Sequence, residues 1–125
     1  NHDHNADFSI CQPLIVSLCQ GILEKGLPQG IGLNVNFPAV SELKGAHVCR
    51  AARGLWTEEY DRRIDPAGRP YYWLTGTFLN AEPDSTDTDE YFLAHNMASI
   101  VPVSIERTEY NALDKIKELS ALLDK

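Results

Sequence analysis

The chain carries few of the residues that usually announce a reaction. Its 125 residues include three cysteines, Cys11, Cys19 and Cys49, an odd number with no CxxC pair. That pattern excludes a disulfide framework closed within the chain and a paired-thiolate zinc site. Buried, reduced thiols in a cytoplasmic protein are the expectation. No apolar run approaches the ~20 residues that a membrane-spanning helix needs. No basic region followed by an apolar stretch is visible at the start, although a leader already removed would be equally invisible. Positive charge is also scarce: 11 Lys and Arg stand against 18 Asp and Glu, for a net charge of -7. Such a balance opposes extended contact with nucleic-acid backbones or anionic membrane. Arg50, Arg53, Arg62 and Arg63 form a local basic stretch, but acidic residues interrupt it.

Nucleophile and phosphate motifs are missing too. There is no GxSxG elbow, no GxxxxGK[ST] and no GxGxxG. "GLPQGIG" is rich in glycine but leads into a strand, whereas a phosphate cradle needs a helix N-terminus. His2, Asp3 and His4 could ligate a metal. Neighbours in an extended segment point opposite ways, so only His2 and His4 would share a side, and no HExxH or cysteine cluster supports them. A polar loop is the plainer reading, with a standalone metal binder as a minor alternative. "DSTDTDE" lacks the glycine and the far glutamate of a calcium loop, so an exposed acidic loop is expected.

What is present is ordinary globular material, 43% hydrophobic, of a length that suits one domain. Asp7 can cap a helix whose apolar residues Phe8, Cys11, Ile15, Leu18 and Ile22 recur at steps of three and four, widened by Leu14 and Leu23. Pro13 should kink that helix or delay its start, and Gly26 should end it after Lys25. In "IGLNVNFP", Ile31, Leu33, Val35 and Phe37 alternate with Gly32, Asn34 and Asn36, which predicts a strand ended by Pro38. A second strand is expected at Ala46 to Ala51.

"TEEYDRRIDPAGRPYYWLTG" predicts a hairpin around a type I turn, with Tyr60, Ile64, Tyr71, Tyr72 and Trp73 on its flanks. Too little sequence surrounds it to cover both faces, which makes burial against another subunit the expectation. "MASIVPVSI" predicts a strand that Pro102 forces to an edge or a bulge. Thr108 can cap a final helix with Tyr110, Leu113, Ile116, Leu119 and Leu123 on its apolar side.

Four of these stretches, in order and in register, resemble one family. "LNVNFP" is similar to the LN(V/I)NVP strand of the SurE family, metal-dependent 5'-nucleotidases. "LKGAHVCRAAR" resembles its IKGxRVTRxxR, "IDPAGRPYYWLTG" its DPRGxxYYWxxG, and "DTDEYFLAHNMASIVPVSIERTEY" its GTDxxAVxEGYVSITPLxxDLT. Asn96, Met97 and Ala98 stand where the family has Gly-Tyr-Val, and Asp87 where it has Gly. The resemblance implies an α/β fold: the C-terminal part of a Rossmann-like three-layer α/β/α sandwich with a projecting hairpin and a C-terminal arm. Residues 1–54 would end the core, 55–80 would form the hairpin for oligomerisation, and 81–125 the acidic loop, strand and helical arm.

The resemblance also implies a phosphatase acting on nucleoside 5'- or 3'-monophosphates with Mg2+ or Mn2+. The family's NDDG motif and its serine and asparagine loops have no counterpart here, so no catalytic, cofactor or metal residue is assigned. "NHDHNAD" is then expected to be an internal loop, and the chain a remnant or ordered part of a longer one, inactive alone. Its interface residues would be Tyr71, Tyr72 and Trp73, in a homodimer or homotetramer. The alternative is a non-catalytic oligomerisation or binding module.

Overall fold

A computed structural model describes residues 7–120 of the chain. The expectations for His2, Asp3, His4 and Leu123 fall outside the described residues. After a 3-10 turn at Ser9–Cys11, helix α1 spans Gln12–Lys25. Pro13 sits in its first turn, where an intrahelical N–H is not needed. The proline therefore delays the helix instead of kinking it. Asp7 does not cap α1; its carboxylate accepts the Ser9 N–H at 2.8 Å in the turn before. Gly26, at φ 73, closes the helix by donating its N–H to Ile22 O at 2.8 Å. The inward stripe is shifted from the expected one. Cys11, Leu14, Leu18 and Ile22 are half-buried, whereas Phe8, Ile15 and Leu23 face outward.

Three strands make the main sheet, in the order β1 (Ile31–Asn36), β7 (Ala98–Ser104), β2 (Ala46–Val48). β7 runs antiparallel to β1, pairing Leu33 with Pro102, and parallel to β2, pairing His47 with Ser99. The strand with the proline is thus central, a correction to its expected edge place. The hydrogen bonds explain the tolerance. Ala98 N–H donates to Gly45 O on the β2 side at 2.9 Å, so every second nitrogen along β7, Pro102 included, faces that side. Paired β2 ends at Val48, opposite Ile100, and only Cys49 N–H reaches beyond, to Ile100 O. Pro102 lies past it, on a stretch that is locally an edge.

The hairpin has two storeys. Its base pairs β3 (Gly54–Thr57) with β6 (Thr77–Asn80), and its outer part pairs β4 (Tyr60–Ile64) with β5 (Pro70–Leu74). Between them Glu58 and Gly76 adopt positive φ of 53 and 126, which breaks the ladder. At the base, the Phe78 ring lies over Gly54 so closely that no Cβ fits there. The outer turn is as expected: Gly68 N–H donates to Asp65 O, and the Asp65 carboxylate accepts from the Ala67 and Arg69 N–H groups.

Helix α2 (Asp89–Ala94) replaces part of the supposed exposed loop. Thr88, 1% exposed, caps it by accepting the Tyr91 N–H. Asn96, at φ 63, ends it: its N–H donates to Leu93 O and that of Met97 to Phe92 O. Asparagine tolerates this left-handed conformation best after glycine, which is why it can stand at the glycine position of the resembling motif. The last helix, α3 (Leu113–Ser120), follows a 3-10 turn at Tyr110–Ala112 capped by Glu109, not by Thr108. Tyr110, Leu113, Ile116 and Leu119 are all exposed.

Very little is sealed. Among the described residues, the buried apolar ones are Ala98, Ile100 and Val101, all on β7. The chain exposes 10393 Å², against roughly 6,700 Å² expected of a compact monomer of its mass. Cys11 and Cys49 are half-buried and Cys19 is exposed, all three reduced, so the expectation of buried thiols holds only in part. Ser99 is fully buried, and its hydroxyl has no hydrogen-bond partner within the chain. Such a group is a cost, so Ser99→Ala should leave stability unchanged or raise it by up to about 1 kcal/mol. Chemical denaturation measures this, and a loss above about 1 kcal/mol would show that the hydroxyl is satisfied after all.

Candidate functional site

The best-organised polar cluster joins the end of the second strand to the segment before α2. Backbone pairing sets it up. Arg50 forms an isolated parallel bridge with Thr88, and Asp89 N–H donates to Arg50 O at 2.9 Å. The Arg50 guanidinium then meets both oxygens of Asp87, Nε to Oδ2 and Nη2 to Oδ1, each at 2.9 Å. Its remaining nitrogen, Nη1, contacts Glu82. This planar two-point grip suits arginine and no other cation. Glu82 also accepts the Arg53 N–H at 2.8 Å, and Asp89 accepts those of Ala52 and Glu90 at 2.7 and 2.9 Å.

The electrostatic consequences agree in sign. The hydrogen bond from Arg50 holds the carboxyls of Glu82 and Asp87 below their usual range, with the Arg53 N–H adding to the effect on Glu82. The two carboxylates in turn raise the Arg50 pKa. Burial pushes the nearby Cys49 thiol up. Chemically, then, the cluster is a clamp. Its carboxylates are committed to a guanidinium and to backbone N–H groups, which leaves them poor general bases and poor ligands. Among the described residues, no group of three or more His, Cys, Asp or Glu could hold a metal ion. The residues present do not fit the divalent ion that the resemblance implies.

The hairpin is the second candidate. Register puts Tyr60, Arg62 and Ile64 of β4 on one face with Leu74, Tyr72 and Pro70 of β5. The other face carries Asp61, Arg63, Tyr71 and Trp73. There the Arg63 guanidinium pairs with Asp61 at 2.8 Å and lies 5.2 Å from the Trp73 ring centre. The three expected interface residues are therefore divided. Tyr72, 63% exposed, belongs to a face whose apolar members stand open beside Arg62, while Tyr71 and Trp73 share theirs with an ion pair. Tyr60 and Ile64, expected on the hairpin flanks, complete the open face with Leu74, which the sequence reading did not single out though strand alternation pairs it with Tyr72.

Comparison with known proteins decides the family. No protein-family model matches the chain. The 5'-nucleotidase SurE of Phocaeicola vulgatus is 43% identical over 117 residues, 94% of this chain and 46% of the relative. That of Christiangramia forsetii is 44% identical over 119 residues, again 94% of this chain and 44% of the relative. Among solved structures, the crystal structure of the Sure protein from Aquifex aeolicus superposes with a TM-score of 0.69 at 27% identity, covering 95% of this chain and 48% of that one. The chain belongs to the SurE family. It corresponds to the C-terminal half of the SurE α/β fold and spans slightly under half the length of the relatives it matches.

Within this SurE segment, the clamp generates a pH dependence. Folded-state pKa values of Glu82 and Asp87 lie below the unfolded ones, so their contribution is present above the ordinary carboxylate range and lost as pH falls through and below it. Denaturant midpoints should fall between pH 5 and pH 3 (about the carboxylate range). Arg50→Ala should lower the midpoint at pH 7 and flatten that decline. An equally steep decline in the variant would place the acid-sensitive groups elsewhere.

Proposed function

We propose that this chain forms the C-terminal half of a divalent-metal-dependent phosphomonoesterase that hydrolyses nucleoside 5'- and 3'-monophosphates to nucleoside and phosphate. The observation that carries the reading is sequence identity above 40% along almost the whole chain to proteins named 5'-nucleotidase SurE. Mg2+ or Mn2+ would polarise the phosphoryl group when bound. We assign its ligands to the half of the family fold that this chain does not span: among the described residues no group of three or more His, Cys, Asp or Glu could hold a metal ion, and Glu82 and Asp87 are engaged by Arg50. Residues 1–54 end the α/β core, 55–80 are the assembly hairpin, and 81–125 are the arm. The setting we assign is cytoplasmic. No helix among the described residues is long and apolar enough to cross a membrane, and the net charge of -7 disfavours polymeric nucleic acid.

The experiment is phosphate release from AMP or p-nitrophenyl phosphate with Mn2+. The chain alone should release none. Turnover by a preparation proven free of longer polypeptide, abolished by EDTA and restored by Mn2+, would contradict the assignment of the metal centre.

A second reading, a non-catalytic oligomerisation module, is favoured by the open apolar face of the outer hairpin. Both readings assign Tyr71, Tyr72 and Trp73 to a homodimer or homotetramer interface. The two faces refine the expectation. In light scattering, Tyr72→Ser with Leu74→Ser should shift the protein to smaller species. Trp73→Ser alone should shift it less, because Arg63 already lies over that ring. Unchanged mass in the paired variant would remove the hairpin from the interface.

A further inference from the structure

The hairpin keeps one register from end to end. Ala81 N–H donates to Arg53 O below its base at 2.9 Å, Thr57 faces Thr77, Tyr60 faces Leu74, and Asp65 N–H donates to Arg69 O beside the turn at 2.9 Å. Glu58 and Glu59 separate the storeys on one strand, Thr75 and Gly76 on the other. Neither side carries an extra residue, so the break between the storeys involves no slip. An unbroken ladder in this phase would join Glu59 and Thr75 by two backbone bonds. Of those two, the structure makes one, from Thr75 N–H to Glu59 O at 2.8 Å.

A backbone choice holds the ladder open. Glu58 sits at φ 53, a region that glutamate seldom occupies. Across from it, Gly76 tucks under the Trp56 ring. A Cβ there would lie 3.3 Å from Trp56 Cε3 and 3.1 Å from Thr57 O. Cavities of about 460 and 340 Å³ flank the joint, one beside Glu58, Asp61 and Gly76, the other beside Trp56, Glu59 and Leu74. β4 and β5 pack chiefly on each other. The strain therefore sits where there is room to relieve it. Straightening needs Glu58 and Gly76 to return to extended φ. It breaks no bond of either storey and closes the second Glu59–Thr75 bond.

We propose that the outer hairpin is an arm on a two-position pivot made by Glu58, Glu59, Thr75 and Gly76: kinked as found here, or straight with the ladder continuous. The swing aims the Tyr60, Ile64, Tyr72 and Leu74 face in two directions without altering it. The inference rests on neither the phosphatase reading nor the assembly reading, because its readout is local pairing.

Glu58→Val and Glu58→Gly pull the pivot opposite ways, since a β-branched residue resists positive φ and glycine accepts it. In hydrogen exchange, the Glu59 amide should gain about tenfold protection or more in Glu58→Val and none in Glu58→Gly. In the valine variant the Hα protons of residues 58 and 76 should show a nuclear Overhauser contact, because theirs is the close, non-bonded kind of pair. The Asp61, Arg63, Tyr71 and Trp73 amides, which bond across the outer storey, should stay protected throughout. Relaxation dispersion on the wild type should find exchange at Glu58, Glu59, Thr75 and Gly76. No exchange there, an unprotected Glu59 amide in Glu58→Val, or loss of the outer protection in that variant overturns the inference and makes the kink a fixed brace.

Discussion

Everything ordered in this chain depends on β7 returning from the end of the sequence to lie between two strands that precede it by dozens of residues. Its registers with β1 and β2 join those two strands into one sheet, and its residues Ala98 to Val101 are sealed from solvent. The pairing is non-local, so its entropy must be met before any contact rewards it. Asn96 and Thr88 lower that cost locally. One closes α2 in a left-handed turn, the other opens it, and together they aim β7 into the gap.

The Arg50 clamp serves the same end. β2 stops at Val48, and without a further tie the chain would leave the sheet there. Arg50 instead holds Glu82 and residues 87–89, an isolated bridge ties it to Thr88, and both ends of the hairpin emerge from a fixed base. Exposed ion pairs contribute little singly. This one is a two-point grip backed by several backbone donors, and its effect is placement. The outer hairpin, beyond the break at Glu58 and Gly76, presents an apolar face and a charged one in opposite directions. A surface so divided suits a partner on one side and water on the other.

Periodicity placed the elements well. α1, β1, the outer hairpin with its turn, and β7 all stand within a few residues of expectation. The failures have separate causes. "DSTDTDE" is acidic enough to pass for a solvated loop, yet Thr88 with Asp89 and Glu90 after it is a helix-capping signal, and Asn96 its stop. Composition outweighed capping there. Pro102 was given an edge because a proline's missing donor is a property of the residue, whereas the length of its neighbour β2 is a property of the fold. The shifted stripe of α1 arises because apolar residues on both sides of that helix leave more than one possible inward face. Thr108 lost the cap to Glu109, one residue on, whose longer carboxylate reaches the Asn111 N–H. The assembly residues were legible as a cluster, but their division between two faces needed the strand register.

These features make the chain one part of a larger α/β layer whose core is left open. The heat capacity of unfolding reads that directly, because it scales with the surface a protein buries. A closed domain of 125 residues would show ~1.5–1.9 kcal/mol/K. Calorimetry of the chain, at a concentration where light scattering finds it monomeric, should give a value well below this range and a broad transition. A sharp, two-state transition with a heat capacity inside the range would show a sealed core, and would contradict the account.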